Sequence, residues 1–178
     1  TSPGIVKNIS GNRFSLGEPN GEKTQRLIIL SKLLYEAGLK APITSRIRDE
    51  LWIKLWGNLA FNPISALTGA TLKQICENNE TRSIVKKLME ESKKIGEKLG
   101  ARFPISIEKR IEGAAAVGEH KTSMLQDLEA GRLMEIDTII SVIQELGVIL
   151  NIDTPNIDCV LALLKQRAHL SGCFNYSN

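Results

Sequence analysis

Histidine and cysteine are scarce in this chain of 178 residues: His120, His169, Cys76, Cys159 and Cys173 are all it has. Ligands so few, unclustered and without C-x-x-C spacing give no reason to expect a metal site. Three cysteines cannot pair off into a disulfide framework, and they suit a reducing, cytoplasmic setting. Neither sign of charge dominates. The 23 Lys and Arg stand against 20 Asp and Glu, for a net charge of +3. That balance does not argue for a nucleic-acid partner, although a mild positive excess suits a small anionic substrate. No apolar run approaches the ~20 residues of a membrane span, and no signal peptide is visible. Aromatics are only 4% of a chain that is 42% hydrophobic. Leu, Ile and Ala therefore carry most of the apolar mass, which supports a buried core and leans towards helix.

What is there divides by pattern. Residues 4–18 read as two short strands, Ile5–Ile9 and Arg13–Leu16, joined at Ser10-Gly11-Asn12, with a turn at Glu18-Pro-Asn-Gly21. Leu27, Leu30, Leu33 and Leu34 give Thr24–Ala37 a helical period, with Gly38 as its stop. Leu39–Thr44 follows as a possible strand, so this opening part has a β-β-α-β order. From Ser45 the signal is helical. Helices are expected over 46–62, 64–76, a long segment capped by Asn79 or Thr81 and ended at Gly100, then 104–116, 123–129, 135–146 stopped by Gly147, and 156–169 with Pro155 in its first turn. Lys86, Lys87, Lys93 and Lys94 alternate with Glu90, Glu91 and Glu97, the pattern of a solvated helix face. Ser171–Asn178 has little pattern and is expected to fray.

The stretch Leu51-Trp-Ile-Lys54-Leu-Trp-Gly-Asn58-Leu-Ala-Phe-Asn62-Pro63 carries the strongest chemical signal. Lys54, Asn58 and Asn62 recur at i, i+4 and i+8, and each step of four overshoots a full turn by about 40°, so the three share one helix face. Pro63 is expected to end or bend the helix at Asn62. The stripe also fits a plain solvated face, but asparagine is a weak helix former for that purpose. Downstream, Ser123 and Asp127 lie one turn apart, Gly131 breaks the chain, and Glu135 opens a new helix where the macrodipole favours a carboxylate. Taken singly, Ser123 reads equally as a helix cap and Glu135 as a first-turn charge.

Taken together, W-x-K-x3-N-x3-N-P from Trp52 to Pro63, Thr122-Ser-Met-Leu-Gln-Asp127, Arg132 and Glu135-Ile-Asp137 resemble the 2-dehydropantoate 2-reductase (ketopantoate reductase) family. Phe14-Ser-Leu-Gly-Glu18-Pro, Ala37-Gly38-Leu39, Gly147-Val148 and Thr154-Pro155-Asn156 support the resemblance, which runs from about residue 3 to residue 170. It implies a mainly α chain, with a helical C-terminal domain of the 6-phosphogluconate-dehydrogenase-like type preceded by the remnant of a Rossmann domain. The expected division is 1–45 for the remnant, 46–172 for the helical substrate-binding and catalytic domain, and 173–178 for a tail. It also implies NADPH-dependent reduction of ketopantoate to pantoate in pantothenate biosynthesis. Residue by residue, it makes Lys54 the general acid on the keto oxygen and Glu135 its supporting carboxylate, meeting it across a cleft. Asn58 and Asn62 would hold the substrate hydroxyl, Ser123 the substrate carboxylate, and Asp127 would stand behind them.

The family's nucleotide-binding G-x-G-x-x-G does not occur among the fourteen glycines. The chain therefore reads as the C-terminal portion of a reductase. NADPH would be bound mainly by the missing N-terminal domain, with the cofactor-binding residues unknown. Alone the piece is expected to be inactive, to bind NADPH weakly or not at all, and to self-associate, as a homodimer or otherwise. His120 stands where an asparagine commonly precedes the Ser motif, Met134 where a capping Thr precedes Glu-Ile-Asp, and Ser141 where a glycine is usual. These changes bear on the substrate, because paralogues reduce other 2-oxo acids. A related 2-oxo-acid or opine-type dehydrogenase, and a non-catalytic helical dimerisation module, stay as alternatives.

Overall fold

The computed structural model describes residues 2–7 and 11–176, and the chain forms two compact units, Thr1–Leu51 and Trp52–Asn178. In the first unit, the segments around residues 13–16 and 40–43 pair in parallel at Arg13 with Lys40 and Leu16 with Ile43. Phe14 N–H donates to Lys40 O (2.7 Å), Leu16 N–H to Pro42 O (2.9 Å) and Thr44 N–H to Leu16 O (2.8 Å). The pairing stays as separate bridges instead of a continuous strand pair because Pro42, between them, has no N–H to give. The earlier expected strand, Ile5–Ile9, falls partly outside the described residues. Helix α1 (Gln25–Glu36) lies between the paired segments in sequence and buries only Leu27. Its Ser31 hydroxyl donates to Ala41 O (2.6 Å). Glu18 is buried and accepts from the Thr24 hydroxyl (2.6 Å) and from the Arg26 guanidinium, which hold its carboxyl at about 2.

The boundary between the units falls within α2 (Ile47–Thr68). Pro63 does not end this helix, contrary to the sequence expectation. Every residue from Leu59 to Ala66 is buried, so packing on all sides holds the turn together without the missing hydrogen bond. The helix stops instead at Gly69, in the left-handed region at φ +74, whose N–H bonds Ser65 O (2.8 Å). The rest of the second unit is α3 (Leu72–Glu77), α4 (Asn79–Lys98), α5 (Ile107–Ala116), α6 (Ser123–Glu129), a π-turn over Asp137–Ser141 leading into α7 (Val142–Leu150), and α8 (Pro155–Leu170). The chain is mainly helical, as expected. Asn78, not Asn79 or Thr81, caps α4 by accepting from Thr81 N–H (2.9 Å).

Trp56 anchors the core. It is 1% exposed, its indole N–H donates to Met89 O (2.8 Å), and Phe103 packs edge-on against it with ring centroids 4.9 Å apart. Gly147 does not stop α7: a Cβ there would meet Ile152 O at 2.9 Å, so its role is close packing, and Asn151 ends the helix at φ 55. The C-terminal segment also departs from expectation. Cys173 and Phe174 are buried rather than frayed, with Cys173 N–H donating to Ala168 O (2.8 Å) and Met134 N–H donating to Cys173 O (2.9 Å). Glu91 belongs to no solvated face either. It is 6% exposed, and its carboxylate accepts from Asn156 N–H (3.0 Å), the Asn156 amide (2.5 Å) and Ile157 N–H (2.9 Å), so it caps α8 from α4.

Candidate functional site

A cavity of about 330 Å³ opens in the second unit between α2, α5 and the start of α6, lined by Gly57, Asn58, Phe61, Asn62, Leu72, Arg110, Ala114, Val117, His120, Thr122 and Ser123. A larger depression of about 620 Å³ lies around Gly147–Thr154, but Glu145, Asp153 and Asp158 are its only charged lining groups. Its field repels an anion; the smaller cavity has a cation and no carboxylate.

The helical period places the lining groups. Asn58 and Asn62 project from one face of α2, one turn apart, and Asn62 is only 4% exposed. Its Nδ2 is buried without a hydrogen-bond partner. Capping of α6 falls to Thr122, whose hydroxyl accepts from Leu125 N–H (3.3 Å). Ser123 therefore keeps a free hydroxyl on the cavity wall. His120 is tied down through its backbone, its carbonyl accepting from Leu72 N–H (3.0 Å). On α5, Arg110 follows the Ser106 cap by one turn. Its Nε is buried without an acceptor, and burial pushes the guanidinium below its usual range, although arginine stays protonated. Orphaned buried donors cost about 1–3 kcal/mol each, so the wall as built favours an occupant rich in acceptor oxygens.

Of the residues singled out in the sequence, Asn58, Asn62 and Ser123 meet at this cavity. Lys54 stands one turn before Asn58 on the same face of α2, exposed and off the cavity lining. Glu135 is exposed ahead of the π-turn, and no ion pair joins it to Lys54 among the described residues. Asp127 pairs with Arg132, with Nε 2.9 Å from Oδ1, across the turn at Gly131, and does not reach the cavity. Sequence reasoning missed Arg110. The signal was present: Ile107, Ile111 and Ala114 form an apolar stripe, and Arg110 sits at i+3 within it.

A family profile described as "Ketopantoate reductase PanE/ApbA C terminal" matches residues 46–168. The chain belongs to the ketopantoate reductase family. A 2-dehydropantoate 2-reductase from Mesorhizobium japonicum is 53% identical over 174 residues, 98% of this chain and 53% of that protein. The crystal structure of 2-dehydropantoate 2-reductase from Methylococcus capsulatus superposes with a TM-score of 0.86 at 30% identity, covering 96% of this chain and 60% of that one. A D-mandelate dehydrogenase solved with NADH and anilino(oxo)acetate shares the fold, with a TM-score of 0.83 at 21% identity over 93% of this chain and 70% of that one. The chain spans about half the length of the curated relatives it matches.

Proposed function

We propose that this chain provides the substrate-binding and acid–base part of an NADPH-dependent 2-dehydropantoate 2-reductase that reduces ketopantoate to pantoate. The observation that carries the reading is the convergence of Asn58, Asn62 and Ser123 on one cavity whose buried donors lack protein acceptors. The 53% identity to a curated 2-dehydropantoate 2-reductase supports it. The chain's own glycines do not furnish a dinucleotide cradle. The helical Gly57, Gly96 and Gly147 each pack against another part of the same unit, and no G-x-G-x-x-G spacing occurs. NADPH, the hydride source, is accordingly assigned to residues other than these, and the chemistry that follows is that of the chain alone.

Reduction turns the C2 carbonyl of a 2-oxo acid into an alkoxide that needs a proton. Lys54 delivers it from Nζ as general acid, ending neutral while the oxygen becomes a hydroxyl. Glu135 holds the lysine charged and oriented when substrate is present, and apo sites often leave such contacts long. Asn58 and Asn62 hold the substrate hydroxyl, Ser123 binds the carboxylate, and Asp127 steadies the end of α6 through Arg132.

The test is a chimaera in which the part of the Mesorhizobium relative outside the matched 53% precedes this chain. It is expected to oxidise NADPH with ketopantoate, and Lys54→Ala should lower kcat by about 10²–10⁴-fold with the thermal transition unchanged. An unchanged kcat removes Lys54 from the chemistry. Turnover of another 2-oxo acid in place of ketopantoate selects a second reading, a related 2-oxo-acid dehydrogenase, which the position of His120 on the cavity wall favours.

A further inference from the structure

The Arg110 side chain has no ion pair or aromatic partner among the described residues and its buried Nε has no acceptor, although the half-buried residue lines the cavity from α5. A cation desolvated to this extent normally has a partner. The fold makes room for it at a specific place: a Cβ at Gly57 would collide with Arg110 Nη2 and lie 3.0 Å from Cζ. The guanidinium is therefore laid against the backbone of α2, between the turn of Lys54 and the turn of Asn58. A second donor, Asn62 Nδ2, waits without an acceptor on the same cavity wall. Two orphaned donors, one of them charged, and no acidic side chain in the lining describe a receptor for an oxyanion. The planar fork of arginine matches a carboxylate in shape and charge.

We infer that Arg110 supplies the counter-charge for the carboxylate of the 2-oxo acid and, with Ser123 beside it, sets the preference for acids over their uncharged analogues. Gly57 is the residue that admits it. The inference rests on the cavity being the oxo-acid site, and it predicts something that site need not have: discrimination lodged on α5, outside both sequence motifs.

The experiment is calorimetric titration of this chain with ketopantoate and, separately, with its uncharged lactone. Arg110→Gln should weaken ketopantoate binding roughly 10- to 100-fold and leave the lactone unchanged, as expected for loss of a charge-assisted pair. Arg110→Lys should recover only part of the loss, because a point charge does not reproduce the fork. Gly57→Ala meets only the far end of a flexible side chain, so it should cause the same selective loss at an unchanged melting temperature. Equal binding of ketopantoate by Arg110→Gln and wild type overturns the inference, as does an equal loss for acid and lactone, or a wild-type chain that binds no 2-oxo acid. If the chimaera turns over a different 2-oxo acid, ketopantoate specificity fails by itself. The contrast is then run with that acid and its amide, and Arg110 stands or falls on the same selectivity.

Discussion

Glu91, buried, and Arg110, half-buried with its Nε out of reach of water, are both charged and both on helices of the second unit, yet they are treated in opposite ways. Glu91 on α4 is saturated: three N–H groups at the start of α8 converge on its two oxygens. Arg110 on α5 has a buried Nε without a protein acceptor, and the cavity beside it holds a second orphan, on Asn62. A buried charge that closes a helix end is structural, and its energy is already realised in the folded chain. A half-buried charge whose inner donor is left open is a standing cost, balanced only when something else arrives. The contrast separates scaffold from site without reference to any relative.

The most disruptive way to probe it is Glu91→Ala, which strands the Asn156 and Ile157 N–H groups. Chemical denaturation should show a loss of about 3 kcal/mol, from charge-assisted hydrogen bonds and uncapped donors, while the surviving folded protein keeps its affinity for ketopantoate. A loss of affinity as large as the loss of stability would erase the distinction. The reverse case is Asn62→Leu. Removing an unpartnered buried amide should leave stability unchanged or raise it by up to about 1 kcal/mol, read in the same denaturation, while weakening ligand binding. A strongly destabilised Asn62→Leu would mean that its Nδ2 is engaged in solution.

The smallest effect is expected in the first unit, at a buried carboxylate satisfied by Thr24 and Arg26 close to it in sequence. Glu18 is held at about 2, below the ordinary 4.5, chiefly by hydrogen bonds from Arg26 and then Thr24. Its contribution is fully present above pH 4.5 and is lost as the pH falls towards about 2, where the folded-state carboxyl takes up its proton. Glu18→Gln should flatten the acid dependence of stability in that window and do nothing at neutral pH. An NMR titration of the Glu18 carboxyl with a midpoint near 4.5 would contradict the pairing.

Much of this was legible in the chain. Period and capping gave α6 as Ser123–Glu129 and placed Pro155 at the opening of α8, because those signals are local. The i, i+4 spacing put Asn58 and Asn62 on one wall, and Ser123 came to the same cavity. The misreadings share a cause in tertiary packing. Pro63 and Gly147 look like helix breakers, but one is enclosed by core and the other is the contact point for Ile152 and Thr154. Glu91 looks like one more surface glutamate until α8 arrives on it. Cys173 looks like tail until Ala168 and Met134 hold its backbone. Pro42, inside the expected strand Leu39–Thr44, thins the strand pairing through a donor it lacks. Arg110 was hidden only by being a single cation in a short apolar stripe, away from the two motifs.

The central claim, that the smaller, cationic cavity is where the 2-oxo acid binds, is tested most directly by following side-chain ¹⁵N resonances while this chain is titrated with ketopantoate. Asn62 Nδ2–H₂ and Arg110 Nε–H are expected to shift together and saturably, with Gln144 in the larger acidic depression unmoved. Shifts at Gln144 and its surroundings, with Asn62 and Arg110 silent, would contradict it.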